Sequence, residues 1–89
     1  MPRGFTEAEQ DRIRERLYAE AERLAASRGI RRTTIAEIAE AAGIAKGSFY
    51  RFARSKEEFF FDLLERAEAD IRAEIDEALQ QAGPEPEER

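Results

Sequence analysis

With 89 residues the chain has room for one small domain and no second core. It contains neither cysteine nor histidine, which removes disulfides, thiolate nucleophiles and the commonest zinc ligands, so no enzyme activity and no cofactor are expected. Its net charge of −5 argues at first sight against nucleic acid, and it has neither an apolar run of the roughly 18 residues a membrane span needs nor a basic-then-apolar leader, which makes the cytoplasm the expected location, away from membranes.

The apolar spacing is helical throughout and nowhere alternates, which predicts an all-α chain, a small helical bundle. Residues 1–10 read as an N-terminal arm and the start of the first helix, which Thr6 and Glu9 open as a capping box. Ile13, Leu17, Ala21, Leu24 and Ala25 then fall on one face, and Gly29 supplies a left-handed residue that closes the helix. Thr34 with Glu37 is a second capping box, opening a short helix with Ile35, Ile38, Ala39 and Ala42 inward, and Gly43 ends it. A third short helix is expected over residues 45–53, carrying Phe49, Tyr50 and Phe52. Ser55 with Glu58 makes a third capping box and starts a long fourth helix over residues 57–82. Its inward stripe would be Phe59, Phe60, Leu63, Leu64, Ala67, Ile71, Ile75 and Leu79, which leaves Phe61 and a few end residues as exposed apolar surface. Gly83 and Pro84 stop that helix, and residues 83–89 form an acidic tail.

The mean charge hides an asymmetry. Residues 11–56 hold 11 basic and 6 acidic side chains, a balance of +5, whereas residues 57–89 hold 3 basic and 12 acidic, a balance of −9. Screening cuts charge interactions off within about 8 Å at physiological salt, so a local basic patch matters more to a phosphate than the overall balance does. Within the basic part, two very short helices joined by AGIAKG are the distinctive element. The spacing fits a helix-turn-helix, and it also fits an ordinary bundle with a tight corner.

The run TTIAEIAEAAGIAKGSFYRFARSKEEFF, residues 33–60, resembles the signature of TetR-type (tetracycline repressor-like) transcriptional regulators. That signature reads Thr-Thr, a hydrophobic residue, Ile-Ala, Ala-Gly-Val, Ser-Lys-Gly, Tyr, Phe and Ser-Lys-Glu. AERLAASRG, residues 21–29, is similar to the end of the family's first helix, and the likeness covers roughly residues 12–70. It implies a homeodomain-like fold in which residues 11–56 form a helix-turn-helix DNA-binding core and the fourth helix is a connector. It also implies a repressor that occupies a palindromic operator in double-stranded DNA.

A recognition helix reaches base edges in the major groove with its N-terminal residues first, here Ala45, Lys46, Gly47 and Ser48, then Tyr50 and Arg51 one turn on. Lys46 can donate to guanine or phosphate, Ser48 to either, and Arg51 has the reach for a bidentate guanine contact. Gly47 lets the backbone come close, and Tyr50 brings a hydroxyl to the DNA backbone. Thr33 and Thr34 sit at a helix N-terminus, where free N–H groups favour an anion, and Lys56 holds the same place on the fourth helix, where the resemblance implies a phosphate contact. Arg28, Arg31, Arg32 and Arg54 extend the basic rim. Each reading has a plainer counterpart: Thr34 caps its helix in any case, Arg31 and Arg32 can be solvated loop charges, and Tyr50 can be half-buried packing. Phe49, Phe52, Phe59 and Phe60 read as core, and the carboxylates of the fourth helix as a solvated face.

Five positions depart from the family pattern. Ala45 stands where serine often caps the recognition helix, a loss of about 1 kcal/mol of helix stability. Ala25 and Ala53 stand where phenylalanine is usual, while Phe49 and Phe59 replace leucines, an exchange that conserves core volume. The resemblance further implies a second helical domain that binds a small molecule and forms a homodimer, so neither the inducer site nor the dimer interface is expected in these residues, and the chain alone should be mostly monomeric. The competing reading is a helical protein-interaction module that uses the acidic fourth helix or Phe61.

Overall fold

The computed structural model describes residues 5–82. Among them are four helices and no strand: α1 (Glu7–Arg28), α2 (Ile35–Ala42), α3 (Lys46–Phe49) and α4 (Lys56–Ala82). The first residues of the expected arm, the stop at Gly83 and Pro84, and the acidic tail lie outside the described residues.

Helix α1 begins as its sequence demands. The Thr6 hydroxyl accepts from the Glu9 N–H at 3.1 Å, and the Thr6 N–H donates to Glu9 Oε1 at 2.9 Å. About six turns later Gly29 ends the helix with φ 91° and ψ 151°, its N–H bonded to the Ala25 carbonyl. This is not the left-handed helical conformation the sequence suggested, but an extended backbone at positive φ that only glycine enters cheaply. Helix α2 starts on the reciprocal Thr34–Glu37 box and closes at Gly43 (φ 83°, ψ 25°). There the N–H of Gly43 returns to Glu40 and that of Ile44 to Ala39, the paired bonds of a Schellman closure.

Two expectations are corrected at α3 and the start of α4. The third helix is α-helical for one turn only, with Ala45 extended and uncapped before it. From Tyr50 to Phe52 the backbone continues in bonds to the third residue back, Tyr50 to Gly47, Arg51 to Ser48 and Phe52 to Phe49. An uncapped first turn containing glycine has little helical drive, and the tighter bonding satisfies the N–H groups over a shorter length. At α4 the Ser55 hydroxyl accepts from the Glu58 N–H as expected, but the Glu58 carboxylate takes the Arg54 N–H at 2.6 Å rather than that of Ser55. The third box is displaced by one residue.

The chain divides into two compact units after Phe59. In the first, α1 packs on α2 and α2 on α3 around Leu17, Ala21, Leu24, Ile38, Ala39, Ala42, Phe49, Ala53 and Phe59. Ile13, Ala25 and Ile35 are half-buried, while Tyr18, which the stripe reading left out, is buried and stacks on Phe59 with ring centroids 5.0 Å apart. Phe49 lies 5.0 Å from Phe59 in turn, so three rings occupy the interior. Ala53 is buried too, which fits the expected exchange of volume between alanine and phenylalanine positions. Among the described residues every buried side-chain nitrogen or oxygen has a hydrogen-bond partner.

The second unit, from Phe60 on, is the remainder of α4. Phe60, Leu63 and Ala67 are half-buried, but Leu64, Ile71, Ile75 and Leu79 are 54%, 56%, 53% and 64% exposed, and Phe61 64%. The expectation of an inward stripe along the whole helix is therefore wrong at Leu64 and everywhere beyond Ala67, and exposed apolar surface is far larger than Phe61 alone. The reason is elementary: a single helix cannot bury its own stripe, and the described part of this unit is one helix.

Candidate nucleic-acid interface

Phe49 decides how α3 presents itself. It is wholly buried, and that anchors the single helical turn so that its remaining positions face out. Ala45, Lys46, Gly47 and Arg51 are exposed, Tyr50 is 49% exposed with its ring edge-on to Phe49 at 5.6 Å, and Ser48 is half-buried. A Cβ built on Gly47 would meet nothing within 4 Å, and its φ is ordinary. Nothing among the described residues requires glycine there, in contrast to Gly29 and Gly43 with their positive φ.

At the start of α2 the two threonines part ways. Thr33 is wholly buried, its hydroxyl donating to the Gly29 carbonyl at 2.8 Å and its N–H to Ile30 at 3.1 Å. The expected phosphate contact of its side chain has no surface to work from; Thr33 fixes the bend between α1 and α2 instead. Thr34 is exposed. Its oxygen accepts from the Glu37 N–H, which leaves the hydroxyl hydrogen available outward. Glu37 already supplies an anion at this helix end and is paired with Arg28 at 2.6 Å. The Thr34 N–H and then the Arg28 guanidinium hold its carboxyl below the ordinary carboxylate range.

Lys56, the first residue of α4, is half-buried and donates from Nζ to the Arg31 carbonyl at 3.3 Å. It thus ties the α1–α2 loop to the start of α4, a contact that spacing alone gave no sign of, and an ammonium retains two further donors. The rim arginines separate by partner. Arg28 is committed to Glu37, and Arg54 lies 3.7 Å from Glu58. Among the described residues Arg31, Arg32, Lys46, Arg51 and Lys56 form no ion pair, so their charge stands uncompensated.

Sequence reasoning missed one cluster altogether. The Arg51 guanidinium lies over the Phe5 ring with its carbon 5.3 Å from the centroid; Phe5 stacks on Phe52 at 6.5 Å; and Arg14 lies over Phe52 at 5.3 Å. Phe5 itself is held by Gln10, whose side-chain amide donates to the Phe5 carbonyl at 3.2 Å. The available signal was an aromatic residue immediately before a capping box, the place where a hydrophobic side chain fixes the entry of the chain.

The sequence of most of the first unit matches a known family. The model of the bacterial regulatory proteins of the tetR family matches residues 17–63, from Leu17 in α1 through α2 and α3 to Leu63 in α4. The chain belongs to the tetR family. It is also 40% identical over 67 residues to the HTH-type transcriptional repressor NemR of Escherichia coli strain K12, and equally to that of strain O6:H1. The match takes in 75% of this chain and 34% of those relatives, so the tetR-family chain described here spans about a third of their length. No solved structure matches it. Among the described residues no helix is long and apolar enough to cross a membrane, and no group of His, Cys, Asp or Glu is placed to hold a metal ion.

Proposed function

We propose that the chain is the DNA-reading part of a transcriptional repressor and acts by occupying a palindromic operator in double-stranded DNA, not as an enzyme. The carrying observation is the outward surface of α3 and the turn after it, anchored by buried Phe49 and bearing Lys46 and Arg51, which form no ion pair among the described residues, within the segment the family model matches. Both relatives bear the name of transcriptional repressors, which favours the same class of work here. In this reading Lys46, Ser48 and Arg51 meet base edges, and Ala45 and Gly47 let the backbone approach. The Tyr50 hydroxyl, Thr34 and Lys56 meet phosphates, with Arg31 and Arg32 adding to the positive field. Two copies reading half-sites one helical turn apart, about 34–36 Å, would give the palindrome its role.

The test is Arg51→Ala against a duplex enriched from a random pool by the wild-type chain. Loss of about 1–3 kcal/mol with relaxed preference at one base pair marks base reading; an equal loss on all sequences marks phosphate contact. Unchanged binding would take Arg51 out of the interface. The exposed apolar residues of α4 favour a second reading, a protein-interaction module, which predicts no duplex binding at all.

A further inference from the structure

The guanidinium proposed to read DNA is not left to wander. A free arginine just after a one-turn helix would sample many rotamers and lose that freedom on binding, at a cost set by how many rotors are frozen. Here the Arg51 guanidinium is already placed over the Phe5 ring, 5.3 Å from its centroid. Phe5 in turn is fixed on three sides: by its stacking on Phe52, by the Gln10 amide on its carbonyl, and by the Thr6–Glu9 box that begins one residue later. Arg14 over Phe52 completes a stack of two rings flanked by two cations that links α1 to the turn after α3. Arg14 also has Asp11 at 3.5 Å, but Arg51 has no ion pair among the described residues, so the Phe5 ring orients its charge without neutralising it.

We propose that Phe5 is a positioning residue for Arg51: the ring ahead of the first helix presets the guanidinium for its contact with DNA. This rests on the DNA-binding reading above and adds to it a specificity determinant outside the helix-turn-helix. Attraction between a cation and an aromatic face at an exposed site corresponds to about a two- to fivefold effect on affinity.

The experiment uses the full 89-residue chain and a duplex pool randomised over about 20 base pairs, two turns of major groove. Affinity and base preference are measured on the enriched duplex for wild type, Phe5→Leu, Phe5→Tyr, Arg51→Ala and the double variant Phe5→Leu with Arg51→Ala, with melting temperature recorded for each. Phe5→Leu keeps an apolar side chain but removes the ring, and the expected result is a two- to fivefold loss with relaxed preference at the base pair that Arg51→Ala also relaxes. Phe5→Tyr retains wild-type behaviour, and the double variant binds no worse than Arg51→Ala alone. An equal loss from Phe5→Leu with or without Arg51 would make Phe5 a purely structural residue and overturn the proposal, as would unchanged or tighter binding. If the wild-type chain binds no duplex, or Arg51→Ala binds like wild type, the underlying reading fails first and takes this inference with it. If Arg51→Ala is impaired and only the coupling to Phe5 is missing, the inference alone falls.

Discussion

Gly47 separates folding from function more sharply than any other residue. Its φ is ordinary and a methyl group there meets no neighbour, so alanine should fit and, with its better helix propensity, stabilise α3 slightly, by up to about 1 kcal/mol. A close approach between this backbone and a DNA groove would not tolerate the same methyl group. Gly47→Ala is therefore expected to keep or raise the melting temperature while weakening duplex binding about tenfold, the scale of an overpacked contact. Undiminished affinity would mean that the turn does not come close to DNA. Thr33 teaches the opposite lesson. It stands beside Thr34 in the sequence and looks equally suited to an anion, yet burial and a bond to Gly29 remove it from the surface.

At the scale of the element, local chemistry was legible and tertiary chemistry was not. The boxes at Thr6 and Thr34 formed as read because both partners lie within four residues and need nothing else. Glu37 gives this a pH signature. Its folded carboxyl titrates below the ordinary range, held there first by the Thr34 N–H and next by Arg28. A depressed folded value means the contribution is present above the ordinary carboxylate value and is lost as pH falls through the depressed one. Glu37→Gln keeps the amide end of the box and drops the charge. Its melting temperature should lie below wild type at neutral pH, with the gap closing in acid; a gap that persists at low pH would refute the linkage. By contrast, the short extent of α3 follows from features the sequence does display, an uncapped Ala45 and Gly47 in the first turn, whose weight apolar spacing alone understates. The shift of Glu58 onto the Arg54 N–H is a choice between two adjacent donors that residue spacing does not decide. The Phe5 cluster escaped for a different reason, since its members lie up to 47 positions apart in numbering, from Phe5 to Phe52. Of the site, the outward residues of α3 were readable because Phe49 obeys helical spacing; the role of Lys56 as a tie to Arg31 was not.

For the whole molecule two forces compete along α4. The segment from residue 60 to 82 carries seven carboxylates, Asp62, Glu65, Glu68, Asp70, Glu74, Asp76 and Glu77, against Arg66 and Arg72. Two such helices repel, while the exposed Leu64, Ile71, Ile75 and Leu79 favour covering one another. Repulsion reaches about 10 Å at 0.1 M salt and only about 3 Å at 1 M, whereas apolar attraction does not weaken with salt. The expected outcome is a monomer at micromolar concentration in low salt, with sedimentation showing rising association toward molar salt. A tight dimer in low salt, or no association at any ionic strength, would show that this balance is misjudged.

The central claim is that this tetR-family chain grips duplex DNA through the surface around α3. The measurement that meets it head-on is affinity as a function of salt, on the enriched palindromic duplex and on random duplex, for wild type and Lys56→Ala. Wild type should bind the palindrome more tightly than random DNA, with log affinity falling linearly in log salt. Lys56→Ala should weaken both alike and flatten the slope by about 1, the loss of one phosphate contact. Absence of duplex binding at low salt, or an affinity indifferent to salt, would contradict the account.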